Sequence, residues 1–184
     1  MNDYSIALFL HIAGVLGFSV ALGLEWTGLW QIRSAILPDQ VRGWMGILKG
    51  VRRVGFASML TTVLTGVYMM LTVWGGVAWV TVSLGALVLV IALSLVLTGP
   101  RMAAIGRALT TASTSQTFHS LASHPLLWIS IQTRIAIALG IVFLKTAKPG
   151  LSGSLLTLGV AVVLGIASAL PASRHEQAPA GSAD

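Results

Sequence analysis

The chain has 184 residues, of which 55% are hydrophobic and only 9% charged, with a mean hydropathy of +0.89. This fits one domain of the membrane class, and the lack of any cysteine excludes disulfides, thiolate zinc sites, iron–sulfur ligation and cysteine nucleophiles. The net charge of +6 does not point to nucleic acid, because the basic residues sit mostly between apolar runs, where they set topology; the expected partner is the lipid bilayer.

Five segments reach the roughly 20 apolar residues that a spanning helix needs. The first covers 4–30. Its first charge is Asp3 and no clear small-residue cleavage site follows, so it reads as a retained helix. Pro38-Asp39 then looks like a helix start, with Asp39 as N-cap. Beyond it Arg42, Lys49 and Arg53 share one face, while Val41, Trp44, Ile47, Leu48 and Val51 cover the other. That is the pattern of an amphipathic helix lying on the membrane surface, where its basic face serves as an anchor.

The second span covers 54–73 and leads through Trp74-Gly75-Gly76 to the third, 78–98. Gly99-Pro100 is expected to end that helix, since proline cannot continue the hydrogen-bond ladder. The stretch 101–124 is rich in Ala, Ser and Thr, with room for a short surface helix. The fourth span, 125–146, closes at Pro149-Gly150, and the fifth, 151–170, at Pro171. Residues 172–184 read as a disordered cytoplasmic tail. The expected fold is all-α: a multi-pass transmembrane helix bundle over 1–171 with five spanning helices, or four if the last segment is re-entrant.

Arg33, Arg42, Lys49, Arg52 and Arg53 follow the first span, Arg101 and Arg107 the third, and Arg174 the fifth. The positive-inside rule then places the N-terminus outside and the C-terminus inside. Lys145 and Lys148 fall on the outer side, where a cation at a helix C-terminus favours the macrodipole and can snorkel. Tyr68, Trp74 and Trp79 near one boundary, and Trp30, Trp44 and Trp128 near the other, form the expected aromatic belts. Small residues recur at four-residue spacing in Ala13/Gly17/Ala21, Ala136/Gly140 and Ala161/Gly165/Ala169. Such stripes let helices approach closely within a bundle or a homo-oligomer.

Against this apolar background three polar residues stand out, because ionisable groups inside a membrane are costly and therefore functional candidates. Glu25 and Arg134 both lie about 12 Å below the inner surface by helical rise, so an intramembrane ion pair between the first and fourth spans is expected. Such a pair either pins two helices or relays protons. His11 shares a stripe with Phe18, Leu22 and Glu25, about 21 Å from Glu25 along the axis, and the two could bracket one cavity. A membrane-interior histidine is a natural axial ligand for haem b, with Met69 and Met70 as candidate partners. His119 and His124, five apart, face different sides of a helix and make a poor metal pair, so no metal site is expected.

The stretches Leu8-Phe9-Leu10-His11-Ile12-Ala13-Gly14 and Gly23-Leu24-Glu25-Trp26 resemble the first helix of a family of uncharacterised bacterial integral membrane proteins. Leu97-Thr98-Gly99-Pro100-Arg101-Met102 and the run from Gly140 to Pro149 resemble the ends of that family's third and fourth helices. The resemblance implies a bacterial cytoplasmic membrane protein and brings no activity with it. More distantly, the early histidine is similar to that of HemJ-type and CopD-type membrane proteins, which implies a haem-ligand role for His11. The chain carries Phe18 where the HemJ-type pattern has tryptophan, and Lys145 stands at a helix end rather than mid-membrane. Three functions follow as expectations: a non-catalytic membrane subunit or accessory factor with a structural Glu25–Arg134 pair, a haem b redox protein using His11, or a small proton-coupled transporter using Glu25.

Overall fold

The computed structural model describes residues 2–111 and 115–174, the last five by backbone alone. Among them the chain is helical with no strand. The helices are α1 (Asp3–Ser34), α2 (Pro38–Met69), α3 (Ala78–Leu93), α4 (Gly99–Thr110), α5 (Ser115–Ala122), α6 (Pro125–Ala147) and α7 (Leu151–Arg174). A π-helical stretch, Met70–Trp74, prolongs α2, and a second, Ser94–Thr98, fuses α3 to α4. Five rods are long and apolar enough to cross a membrane: Asp3–Ser34, Pro38–Trp74, Ala78–Thr110, Pro125–Ala147 and Leu151–Ala169. The protein is therefore an all-α membrane bundle of five spans rather than four.

Three expected boundaries are overturned. The basic amphipathic segment is not a separate surface helix but the first half of α2. Nothing between Arg53 and Val54 breaks the ladder, so the rod of 37 residues runs about 55 Å, well beyond a hydrocarbon core of about 30 Å. Val41 and Leu48 are buried on that projection, while Ile47, Arg42, Lys49 and Arg53 are exposed. The N-cap is Leu37 with Pro38 behind it; Asp39 lies in the first turn and pairs with Arg42 at 2.6 Å.

Gly99-Pro100 does not stop α3. The π stretch before it widens the turn, so that Gly99 N–H bonds the Ser94 carbonyl and Pro100, which has no N–H to place, sits at the start of α4. Pro171 does not end α7 either: the helix runs on to Arg174, three residues into the stretch expected to be disordered. The rest of that tail, with His175, lies outside the described residues.

Packing divides the bundle into two hairpins. α1 lies along α2, and α6 along α7, with α3 against α6. Small residues explain both close approaches. A Cβ on Gly14 would stand 2.5 Å from Thr62 Oγ1 and 2.8 Å from the Ser58 carbonyl, and one on Gly55 would stand 2.9 Å from the Ala21 Cβ. In the other hairpin Gly140 faces Ala161, and Gly165 abuts the Thr133 backbone. The stripes are thus used inside the chain, with Gly14 rather than Ala13 on the packed face. α2 and α3, by contrast, do not pack along their lengths.

The tightest core lies at the end where α1 finishes, here called the lower end. Leu29, Ile32, Leu48, Ile105, Phe118 and Trp128 are almost wholly buried there. Trp128 belongs to that core rather than to an aromatic belt: its Nε1–H donates to the Ala122 carbonyl at 3.0 Å, and Trp30 meets it edge-on. At the upper end, where α1 begins, packing is looser and the bundle is hollow.

Candidate functional site

Two chambers lie one above the other between the α1–α2 hairpin and α3/α6. The upper, about 370 Å³, reaches from Tyr4, Trp74 and Trp79 down past His11 and Lys145. The lower, about 240 Å³, holds Glu25, Arg134 and Arg52. Phe18, Met59 and Val90 line both and form the shelf between them. His11 and Glu25 thus do not bracket one cavity. Phe18, between them on the same stripe of α1, fills the middle.

In the upper chamber His11 is held from both sides. Its Nδ1 lies 3.0 Å from the Thr62 carbonyl and 3.2 Å from Thr65 Oγ1. A carbonyl can only accept, so Nδ1 carries the proton and Nε2 presents its lone pair. Two sequence features of α2 place that carbonyl: Thr62 is buried against Gly14, and Gly66 leaves room for the imidazole, since a Cβ there would stand only 3.2 Å from His11 Cε1. Nε2 meets the Lys145 Nζ at 2.6 Å. Lys145 does not snorkel outwards as expected. The α1–α6 packing brings His11 within its reach, and it turns into the bundle. Lys148, the left-handed cap of α6 (φ 46°), lays its ammonium 4.5 Å from the Trp74 ring and 5.9 Å from Trp79. The Met70–Trp74 π turn sets Trp74 at the mouth, and Trp79, in the first turn of α3, meets it edge-on.

Beneath the shelf Arg134 Nη1 donates to Glu25 Oε2 at 3.0 Å and reaches Ser94 Oγ at 3.5 Å. Its Nη2 donates to Thr98 Oγ1 at 3.3 Å, while its Nε has no partner. Thr98 also shares a 2.9 Å hydrogen bond with Ser130, whose hydroxyl donates to the Leu93 carbonyl at 3.1 Å. These groups depend on the Ser94–Thr98 π stretch, where the altered ladder leaves a main-chain acceptor for a side chain and turns two hydroxyls inwards. Glu25 and Arg134 are 7% and 3% exposed, so the pair is shielded from screening. The network ties α1, the α3–α4 joint and α6 together.

Sequence reasoning brought Glu25 together with Arg134 by depth and charge, and the structure holds them in contact. It missed Lys145 as a partner of His11, although both lie in the same half of the membrane. It missed Ser94, Thr98 and Ser130 because hydroxyls in apolar helices usually bond their own backbone. Met69 and Met70 line the chamber that His11 lines, while the imidazole nitrogens bond Thr62, Thr65 and Lys145. Arg42, Lys49 and Arg53 take no part in either chamber. Among the described residues no cluster of three metal-ligating side chains occurs. Comparison with family models, curated proteins and solved structures returns no match, so the functional reading rests on this geometry alone.

Proposed function

We propose that the protein is a non-catalytic carrier or accessory subunit of the bacterial cytoplasmic membrane, and that it takes a small amphipathic molecule into the cleft between its α1–α2 hairpin and α3/α6. The N-terminus faces outside on this reading, so the upper chamber is the outer one. The observation that carries it is the pair of stacked chambers parted by only three apolar side chains, Phe18, Met59 and Val90. The unpacked flank between α2 and α3 gives a lateral route from lipid, and the Glu25–Arg134 network pins the helices below. The chain is free of cysteine, so a single Val90→Cys probe is clean. Val90 is 2% exposed. A carrier lets water-soluble thiol reagents reach this position from both faces of the membrane, whereas protection from both faces rejects the carrier.

Two further readings each have an observation behind them. Glu25 lines the lower chamber as well as pairing with Arg134, which suits proton coupling. For haem b, His11 Nε2 points its lone pair into an apolar chamber that Met69 and Met70 also line, and Lys145 and Lys148 would suit propionates. Haem, if bound, would supply one-electron chemistry, and His11 Nε2 would hold it only by giving up its bond to Lys145. A Soret band in the purified protein that disappears in His11→Ala supports that reading; a sample that stays colourless after haem is added removes it.

A further inference from the structure

The chamber around His11 is electrostatically lopsided. Lys145 carries an ammonium into walls that are otherwise mostly apolar, and its hydrogen-bond partner is an imidazole that brings no negative charge. Of the acidic residues described, Glu25 is taken by Arg134 and Asp39 by Arg42. Asp3 does not line the chamber, and among the described residues no carboxylate does. A half-buried cation without a counter-charge is costly, and an anion that completes it gains a charge-assisted hydrogen bond in low dielectric. Lys148 at the mouth repeats the sign, while its cation–π contacts with Trp74 and Trp79 hold it at the rim. Below Lys145 the walls are mostly apolar down to the Phe18–Met59–Val90 shelf, with Ser19 and Thr62 among the hydroxyl exceptions.

We infer that the upper chamber binds an amphipathic carboxylate with a single apolar chain. The carboxylate bonds Lys145 Nζ, and the chain lies between α2 and α3 towards the shelf. A volume of about 370 Å³ lies near the lower end of the range for small-molecule sites and is too small for both chains of a phospholipid. Lys145 Nζ has three donors and spends one on His11 Nε2, so a carboxylate can be accepted without breaking that bond. His11, fixed by the Thr62 carbonyl, acts as a positioning residue that keeps Lys145 turned inwards. This inference rests on the part of that reading that places a small amphipathic molecule in the cleft, and it names the molecule's class.

The test is equilibrium binding of dodecanoate to the full chain in nanodiscs, with dodecanol and a single-chain lysophosphatidic acid as comparison ligands. Dodecanoate is expected to saturate at one per chain and to bind at least about tenfold more tightly than dodecanol, a difference of about 1.4 kcal/mol. Lys145→Met, which keeps the length of the side chain, removes that preference, and Lys148→Met weakens it less. Equal affinity for the acid and the alcohol overturns the inference. So does an unaltered preference in a folded Lys145→Met protein, or binding of lysophosphatidic acid without dodecanoate. The acid–alcohol comparison uses the native chain and holds even if the variant fails to fold. Binding requires no passage across the shelf, so failure here leaves the Val90→Cys result standing, and protection of Val90 leaves this one standing.

Discussion

The two halves of the bundle treat charge in opposite ways. Below the shelf, Arg134 meets Glu25, Ser94 and Thr98 in a buried network that balances its charge. Above it, Lys145 meets His11 and no carboxylate among the described residues, in a chamber open enough to admit a ligand. Packing follows the same division: the large core of Leu29, Ile105, Phe118 and Trp128 lies at the balanced end and the larger cavity at the unbalanced one. A compensated pair can be closed over and used to lock helices. An uncompensated cation keeps its surroundings accessible and selects what binds there. On the proposed function, the Glu25–Arg134 pair is therefore the structural one and the histidine–lysine pair the binding one.

The largest effect should come from breaking the balance below. Arg134→Met strands Glu25 without a counter-charge and is expected to cost about 3–5 kcal/mol in unfolding stability, while Glu25→Leu with Arg134→Met together recovers most of that loss. Denaturant unfolding in detergent, run as a double-mutant cycle, measures both. Glu25→Gln sharpens the same comparison: a pin loses stability, whereas a proton site keeps its fold and stops moving its cargo.

The contrasting change above should barely register. Lys145→Met removes a cation that faces no carboxylate among the described residues, so its unfolding stability should stay within about 0.5 kcal/mol of the native chain. A loss as large as that of Arg134→Met would show that the upper pair is a pin as well, and the contrast between the halves would fall.

The smallest effect lies outside both chambers, at the start of α6. His124 caps that helix by accepting the Leu126 N–H at 3.3 Å, which requires an unprotonated Nδ1. Desolvation by burial, and then the nearby Arg101 charge, hold its pKa below the ordinary 6.5. The native state therefore binds this proton less readily than the unfolded chain. The stability it contributes is full above about pH 6.5 and is lost as pH falls through the lowered native value. Melting temperature followed from pH 7.5 to 5 should drop slightly in the native chain and more weakly in His124→Asn, which caps without titrating. Identical pH profiles for the two proteins would remove His124 from the account.

Hydropathy alone determined the membrane class and the number of spans, because a bilayer demands about 20 apolar residues per crossing whatever the packing. Equal depth and opposite charge also made the Glu25–Arg134 pairing legible, since an unpaired charge there is so costly. Proline was misread at Gly99-Pro100 and Pro171: whether it ends a helix depends on the register around it, and a π turn that absorbs the missing donor leaves no mark in residue type. The amphipathic run after Pro38 was misread because the same pattern suits a helix on lipid and a projecting rod packed on α1 and α4. Only the tertiary structure decided that Lys145 turns inwards to His11, that Phe18 parts one stripe into two chambers, and that α2 and α3 stay apart. Each depends on which helices touch and at what separation, and in lipid that is set by side-chain fit between segments far apart in the chain, where hydropathy is nearly uniform.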